Sequence, residues 1–178
     1  MSSEKPPALV AVGLFAAWAL HDAEEALTFQ SSGRRLLRRL PEGVRTPAFL
    51  VRAIEGGPAQ YLVAIGLMGA LVAAATVDGM RTGGRGRFFQ WSLNAFGWHG
   101  IGHLAASAVL RGYTTGVVTS PVIVVPYWLW AIRTLRRDGI QISTRPDASL
   151  LLLAPLLLAA HALAAALVQN GALARSTH

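Results

Sequence analysis

Histidines and acidic residues occur together at a few places in this chain, inside stretches that are otherwise apolar. The densest group is His21, Asp22, Glu24 and Glu25, within the apolar run 8–29. A carboxylate at the centre of a membrane helix costs about 2.5–3.5 kcal/mol, whereas each Leu, Ile, Val or Phe returns about 0.3–0.6 kcal/mol. Such groups are retained when protons, partner side chains or a metal neutralise them. The group is therefore a candidate functional site.

Helical spacing suggests which side chains act together. His21, Glu24 and Glu25 lie three and four residues apart and so share one face of a helix. In a later apolar run, His99 and His103 are one turn apart, which is the spacing of a common two-histidine metal clip. We predict that these five residues bind a metal. A carboxylate among them that does not bind the metal would move protons.

Two further side chains are possible members of the site. His161 lies in the last apolar run and is a possible additional metal ligand. Glu55 is a possible ligand or proton-transferring carboxylate. If consecutive runs cross a membrane in alternate directions, all the candidates fall in the half nearer the arginine-rich connector 31–46. Because all the candidates are predicted at a similar depth in the membrane, we expect them to form one site. Asp22 points about a right angle away from His21 and is expected to have a supporting or interfacial role.

Each candidate also has a purely structural explanation. His161 has only Ala and Leu as helical neighbours and could be a hydrogen-bonded packing residue. His99 and His103 could instead bond neighbouring helices, and the acidic group around His21 could form an ion-pair network without metal. Glu55 could extend to a membrane interface.

The composition predicts an all-α integral membrane protein. Of the 178 residues, 53% are hydrophobic and 14% are charged, whereas about 25% are charged in a typical soluble domain. Apolar runs near 20 residues recur, each long enough to cross a bilayer. We predict a single domain over 1–178, a polytopic helical bundle with a short interfacial helix at 34–40. Its five spans are predicted at about 8–29, 57–77, 88–110, 117–135 and 148–169, and Pro121 and Pro126 are expected to kink the fourth.

The charges and the absence of cysteine exclude several classes of function. With no cysteine, the chain has neither disulfides nor thiolate ligands. The net charge of +7 comes from arginines in short connectors, which indicates topology control and contact with anionic head groups, not nucleic-acid binding. Basic residues divide evenly between the two faces, but the first helix and its flanks usually dominate. We therefore place the 31–46 connector and the site on the cytoplasmic side of the membrane. The oligomeric state is left open.

The pentad His21–Glu25 resembles the signature that names the HXXEE-domain family, small bacterial integral membrane proteins of largely uncharacterised function. The resemblance covers roughly 8–130 and includes two further stretches, Asn94-x4-His99-x3-His103 and Arg111–Thr119. In the second stretch such proteins often have a Tyr-Thr-Pro-Gly turn, and this chain has Thr115 in place of the proline. The resemblance implies a polytopic fold in the bacterial cytoplasmic membrane with a site at the motif, and it says little about the reaction.

The leading functional hypothesis is a membrane-embedded, metal-dependent enzyme that acts on a lipophilic small molecule. Nitrogen and oxygen ligands without sulfur suit iron or zinc, and the number of candidates would allow two ions. Oxidation or hydroxylation is the first reaction class, by analogy with helical di-iron bundles. Two alternatives stay open: a metal-independent Glu/His acid–base isomerase or cyclase, and a metal or proton transporter. The expected partners are membrane lipid and the lipophilic substrate.

Overall fold

The predicted all-α class is confirmed. A computed structural model describes residues 5–41, 43–146 and 148–176, and these residues form helices and their connecting turns. The helices are α1 (Lys5–Leu37), α2 (Ala48–Glu55), α3 (Pro58–Arg81), α4 (Arg87–Leu110), α5 (Val125–Arg137) and α6 (Ala148–Ser176), with a π-helical segment, Ser120–Val124, directly before α5.

The arginine-rich connector differs from the prediction. Helix α1 does not end near Phe29 but continues to Leu37, so the separate interfacial helix predicted at 34–40 is wrong. The arginines and leucines of this stretch are good helix formers, and Gly33 alone does not stop the helix. The short separate helix is instead α2, which begins after Pro47 and ends at the extended Gly56. A Cβ on Gly33 would lie 2.7 Å from Ile54 Cγ2, so this glycine lets α2 approach α1 closely.

Helices α3 and α4 form a hairpin, and α4 is the helix that carries His99 and His103. Asp78, predicted to begin the loop, lies inside α3, and its Oδ2 accepts a hydrogen bond of 3.0 Å from the backbone N–H of Phe89. This bond satisfies one of the free N–H groups at the start of α4. Gly83 and Gly84 have φ angles of +58° and +79°, which reverse the chain between the helices.

The two prolines of the predicted fourth span lie at a change of helix type. Pro121 is in the π-helical segment and Pro126 is in the first turn of α5. Because proline has no N–H to donate, it disfavours a regular α-helix at this point. The buried Ser120 is satisfied within the same turn, since both its N–H and its hydroxyl donate to the carbonyl of Gly116, at 3.1 Å and 2.7 Å.

The bundle has a tightly packed half and an open half. The packed half uses the first turns of α1, the later part of α3, the start of α4, the π-helical segment and α5, and its most buried side chains are Val10, Leu14, Phe89, Leu93, Val124 and Leu135. The open half is formed by the later turns of α1 and α4 together with α2, the start of α3 and α6. His21, with 1% of its surface exposed, lies between the two halves.

Within the described residues, one helix passes a length and hydropathy test for crossing a membrane. That helix is α3, and α6 contains a shorter apolar stretch, Pro155–Val168. A single helix of this kind is weak evidence, because buried helices of soluble proteins and signal sequences pass the same test. The polar residues at 21–25 of α1 and at 94–103 of α4 lower the mean hydropathy of those helices. The five predicted membrane spans therefore stay a prediction.

Candidate metal centre

Three imidazoles and one carboxylate meet where the middle of α1 faces the middle of α4. His21 and Glu25 come from α1, and His99 and His103 come from α4. Each offers one ligand atom, and the four atoms all lie within 4.8 Å of one another. We call these four residues the His3Glu group. His21 is buried, and the other three are partly buried at the edge of a cavity.

The distances in the His3Glu group are close to those of a tetrahedral ion site. Glu25 Oε1 lies 3.3 Å from His103 Nε2, and Glu25 Oε2 lies 3.8 Å from His99 Nε2 and 4.0 Å from His21 Nε2. Zinc bound at about 2.0–2.1 Å would place its ligand atoms about 3.4 Å apart. The Nε2 atoms of His99 and His103 are 2.8 Å apart and share a hydrogen bond, so they would have to separate slightly to bind an ion.

The tautomer of His21 follows from its hydrogen-bond partner. The hydroxyl of Thr119 has one proton and donates it to Glu24 Oε2 at 2.6 Å, so it accepts the Nδ1–H of His21 at 2.7 Å. His21 Nε2 therefore carries a lone pair directed at the group. This atom is buried and has no hydrogen-bond partner among the described residues. A buried, unpartnered imidazole nitrogen beside two imidazoles and a carboxylate fits a metal ligand, and Thr119 fixes its orientation.

Glu24 was predicted as a metal ligand, but it lies outside the His3Glu group. Its Oε1 accepts hydrogen bonds from the hydroxyl of Tyr113 at 2.6 Å and the N–H of Val118 at 3.2 Å, and its Oε2 accepts the N–H of Thr119 at 2.7 Å and the Thr119 hydroxyl. Both oxygens are thus occupied by the turn 113–119. Partial burial and the bond to Glu24 raise the pKa of the Tyr113 phenol, which keeps it a hydrogen-bond donor. Through these hydrogen bonds, Glu24 holds the turn against α1.

Gly116 lies directly over two of the histidines. Its φ angle is +73°, and a Cβ built on it would lie 2.8 Å from His21 Cε1 and 2.9 Å from His103 Cε1. Only a residue without a side chain fits there unchanged. The sequence predicted Gly116 in a turn and Thr119 in the fourth span, and it did not indicate their contact with the site. The one available signal was that they follow the histidine helix at a short distance.

A large apolar cavity adjoins the His3Glu group. It has a volume of about 590 Å³, and Glu25, His99 and His103 form part of its wall. Most of the remaining wall is apolar or aromatic and includes Phe29, Leu36, Ile54, Tyr61, Leu110, Leu157 and Leu158. Arg35 and Arg39 also line it. The volume is within the range of about 300–1,000 Å³ that is typical of small-molecule sites.

The remaining predicted site residues take other positions. His161 also lines the cavity and stacks on Phe29, with ring centroids 5.4 Å apart, but it is not part of the His3Glu group. Glu55 is exposed at the end of α2 and is likewise outside the group. Asp22 faces a second, smaller cavity of about 70 Å³, whose wall includes His21 and His99. Its Oδ2 is buried and has no hydrogen-bond partner among the described residues, and the expected supporting or interfacial role stays a prediction.

The fold and the site together define an all-helical bundle with a potential metal centre beside an apolar cavity. A family model described as "Protein of unknown function with HXXEE motif" matches residues 12–131, more than half of the chain. The chain belongs to this family. The matched range contains the whole His3Glu group and the turn 113–119 but not His161. Comparison with curated proteins and with solved structures finds no match to this chain.

Proposed function

We propose that this protein is a membrane-embedded, metal-dependent enzyme that acts on a lipophilic small molecule. One observation carries the proposal: the group of three imidazoles and one carboxylate adjoins an apolar cavity of about 590 Å³, and Glu25, His99 and His103 form part of the cavity wall. A metal-ligand set exposed to an apolar binding space is the arrangement that a metal enzyme needs for an apolar substrate.

The His3Glu group suits one ion of zinc or iron. Its donors are nitrogen and oxygen without sulfur, which excludes a thiolate-type site. A second ion has less support, because Glu24 is bonded to the turn 113–119 and Glu25 is the one carboxylate in the group among the described residues. We therefore propose a single metal ion.

The protein's own side chains would hold the ligands and move a proton. Thr119 keeps His21 in the tautomer whose Nε2 faces the group. When bound, the ion would supply Lewis-acid or oxygen-activating chemistry. Glu25 has two carboxylate oxygens, so one could ligate while the other accepts a proton from the substrate. The apolar wall would exclude water from this proton transfer. We propose oxidation or hydroxylation as the reaction class, with dioxygen as the oxidant, an external reductant as the electron donor and iron instead of zinc in the site, by analogy with helical Glu/His metal sites.

The outer surface of the bundle supports a membrane location. Apolar side chains on several helices point away from the interior: Leu20, Leu27, Leu62, Val109, Leu163 and Leu167 are between 49% and 85% exposed. The apolar helix α3 has 22% of its most hydrophobic window buried. A broad exposed apolar surface requires a partner or a lipid environment. We propose that lipid covers it, with the arginine-rich end of α1 at the interface.

The hydrogen bond between His99 and His103 also supports an alternative without metal. Glu25 Oε1 lies 3.3 Å from the same Nε2 atom of His103, so a proton on this nitrogen could be shared with either neighbour. An acid–base isomerase or cyclase could use this shared proton. A transporter has less support, because the half of the bundle beyond His21 is filled by the apolar residues of the core.

Metal-dependent turnover of a membrane lipid component tests the proposal. Purified protein, loaded with zinc or with iron(II) in air and ascorbate, would be incubated with a lipid extract of the expressing cells and followed by mass spectrometry. We expect at least one lipophilic species to be converted, and we expect chelation or Glu25→Gln to stop the conversion. Glu55→Gln, a carboxylate outside the site, is the matched control and should leave it unchanged.

The same experiment separates the alternatives. Conversion that persists after chelation but is lost in Glu25→Gln would contradict the metal-dependent enzyme and support the acid–base enzyme. If no species is converted under any condition, and proteoliposomes show a zinc or proton flux that Glu25→Gln abolishes, the result would support a transporter.

A further inference from the structure

We infer that the cavity beside the His3Glu group binds an anionic amphiphile, with its acidic head group between Arg35 and Arg39 and its apolar body extending to the metal group. This inference names the substrate class of the proposed enzyme and in that sense rests on the proposed function. The preference for an anionic head group is, however, a property of the cavity that can be measured without turnover.

One stripe of α1 connects the two ends of the cavity. Glu25, Phe29, Gly33 and Leu36 all line it and recur at the spacing of a single helical face. Arg35 is ten residues after Glu25, which corresponds to about 15 Å along the helix axis. A ligand that spans the cavity would thus have one end at the metal group and the other at the arginines.

The two guanidinium groups have most of their donors available. Arg35 Nη2 donates to Ser32 Oγ at 2.9 Å, and its guanidinium carbon lies 5.8 Å from the centre of the Tyr113 ring. Arg39 makes one long bond, 3.4 Å, to the carbonyl of Leu110. In the described part of the chain, no carboxylate lies within 4.0 Å of either arginine. A guanidinium has five N–H donors, and phosphate or carboxylate is the acceptor that matches them best.

The space between the two ends suits an apolar body. Phe29, Tyr61 and His161 form a cluster of mutually contacting rings in the cavity wall, with Phe29 stacked on Tyr61 at a centroid distance of 5.1 Å and on His161 at 5.4 Å, and 5.8 Å between Tyr61 and His161. Leu157 and Leu158 of α6 also line the cavity. Among the described residues, Glu25 is the one acidic residue of this wall, and it lies with His99 and His103 at the far end from the arginines. The charges therefore favour one orientation of the ligand, with its anionic group towards the connector.

Three probes with the same alkyl chain test the inference: dodecyl phosphate, dodecanol and dodecyltrimethylammonium. Their binding to the full-length protein in phosphatidylcholine nanodiscs would be measured, with protein-free nanodiscs subtracted. We expect dodecyl phosphate to bind about tenfold to a hundredfold more tightly than the other two, because hydrogen bonds between charged groups contribute this much. Equal binding of the three probes to the unaltered protein would overturn the inference, whatever the variants do.

Charge-matched variants locate the preference. Arg35→Gln/Arg39→Gln should remove the tighter binding of dodecyl phosphate and leave dodecanol unchanged. Arg34→Gln/Arg38→Gln removes the same charge from neighbouring, exposed positions that do not line the cavity, and should keep the preference. The reverse result, loss in the second variant only, would mean a surface charge effect and would overturn the inference.

Competition experiments identify the source of the head group and keep the two proposals separate. Inorganic phosphate that competes as well as dodecyl phosphate would show a phosphate site without an apolar body, against the inference. Phosphatidylglycerol that competes better would support it and assign the ligand to a bilayer lipid, whereas weaker competition would assign it to a single-chain amphiphile. If the protein binds no metal but prefers dodecyl phosphate, the proposed function fails and the inference stands. If it binds metal but the three probes bind equally, the inference alone fails.

Discussion

At the scale of single residues, the two adjacent glutamates of the HXXEE motif have different partners. Consecutive residues on a helix point about 100° apart. Glu25 consequently faces the histidines of α4, whereas Glu24 faces the turn 113–119 and accepts four hydrogen bonds from it. The histidine of the motif is linked to both arrangements, because Thr119 accepts from His21 and donates to Glu24.

Glu24→Gln should weaken metal binding without abolishing it. The amide replaces one acceptor oxygen by a donor and so loses some of the bonds to the turn, and loss of such supporting bonds lowers metal affinity about 10–100-fold. The affinity for zinc would be measured by competition with a chelator, with Glu55→Gln as the unaffected control. A folded Glu24→Gln protein that binds no zinc at all would mean that Glu24 is itself a ligand.

Thr119→Val tests the orientation of His21. Valine has nearly the same shape as threonine but cannot accept the Nδ1–H of His21, so we expect zinc affinity to fall about tenfold or more. Thr119→Ser retains the hydroxyl and should retain most of the affinity. If valine and serine have the same effect, the hydroxyl does not orient the ligand.

Periodicity could predict only part of the site. The i, i+4 spacing of His21 with Glu25 and of His99 with His103 indicated pairs on one helix face, and the structure brings both pairs together. The same spacing rule also predicted Glu24 as a ligand. Helical spacing shows that Glu24 and Glu25 lie on similar sides of α1, but it does not show which of them points at α4. It also gave no information on the contacts of Thr119, whose position depends on the path of the turn that precedes it.

At the scale of structural elements, the turn 113–119 completes the site. It leaves the end of α4, folds back over His21 and His103, and is held by Glu24 and by the close approach of Gly116. The sequence predicted a turn here, since Gly and Thr are frequent in turns. Which helices this turn would contact could not be predicted, because the contact depends on how α1 packs against α4.

Gly116→Ala should lower both stability and metal affinity. A non-glycine residue at φ +73° costs about 1–2 kcal/mol, and the added Cβ would displace the imidazoles of His21 and His103. Thermal unfolding in detergent and the zinc affinity would both be measured. Gly102→Ala is the matched control, because Gly102 lies between His99 and His103 in α4 and has open space around its Cβ position. Equal effects of the two substitutions on stability and zinc affinity would show that the close contact of Gly116 with the two imidazoles is not important for the site.

At the scale of the whole molecule, the bundle is divided between a packed half and a half that surrounds the cavity. The apolar pattern of the sequence predicted helices, because a helix can be recognised from its own residues. It could not predict that α2 and α6 stand apart enough to leave about 590 Å³ between them and α1. A cavity depends on side chains from five helices at once, so no local pattern encodes it.

The proposed orientation in the membrane is directly testable because the chain has no cysteine. Arg38 lies in the connector after α1, and Thr82 lies in the α3–α4 turn at the opposite end of the bundle. With a single cysteine introduced at each position, we expect a membrane-impermeant maleimide to label the Thr82→Cys variant in intact cells and the Arg38→Cys variant only after the membrane is permeabilised. The reverse pattern would place the connector outside the cytoplasm, and recovery of the protein from the soluble fraction without detergent would contradict the membrane location itself.

The central claim is that His21, Glu25, His99 and His103 hold one metal ion. Its most direct test is the metal content of purified protein, loaded with zinc or iron and then desalted, measured by elemental mass spectrometry. The account predicts about one ion per chain, with loss in His103→Ala and in Glu25→Gln while the helical circular dichroism signal is retained, and no loss in Glu55→Gln. Protein that takes up no ion, or that keeps its ion after both His99 and His103 are replaced, would contradict the account.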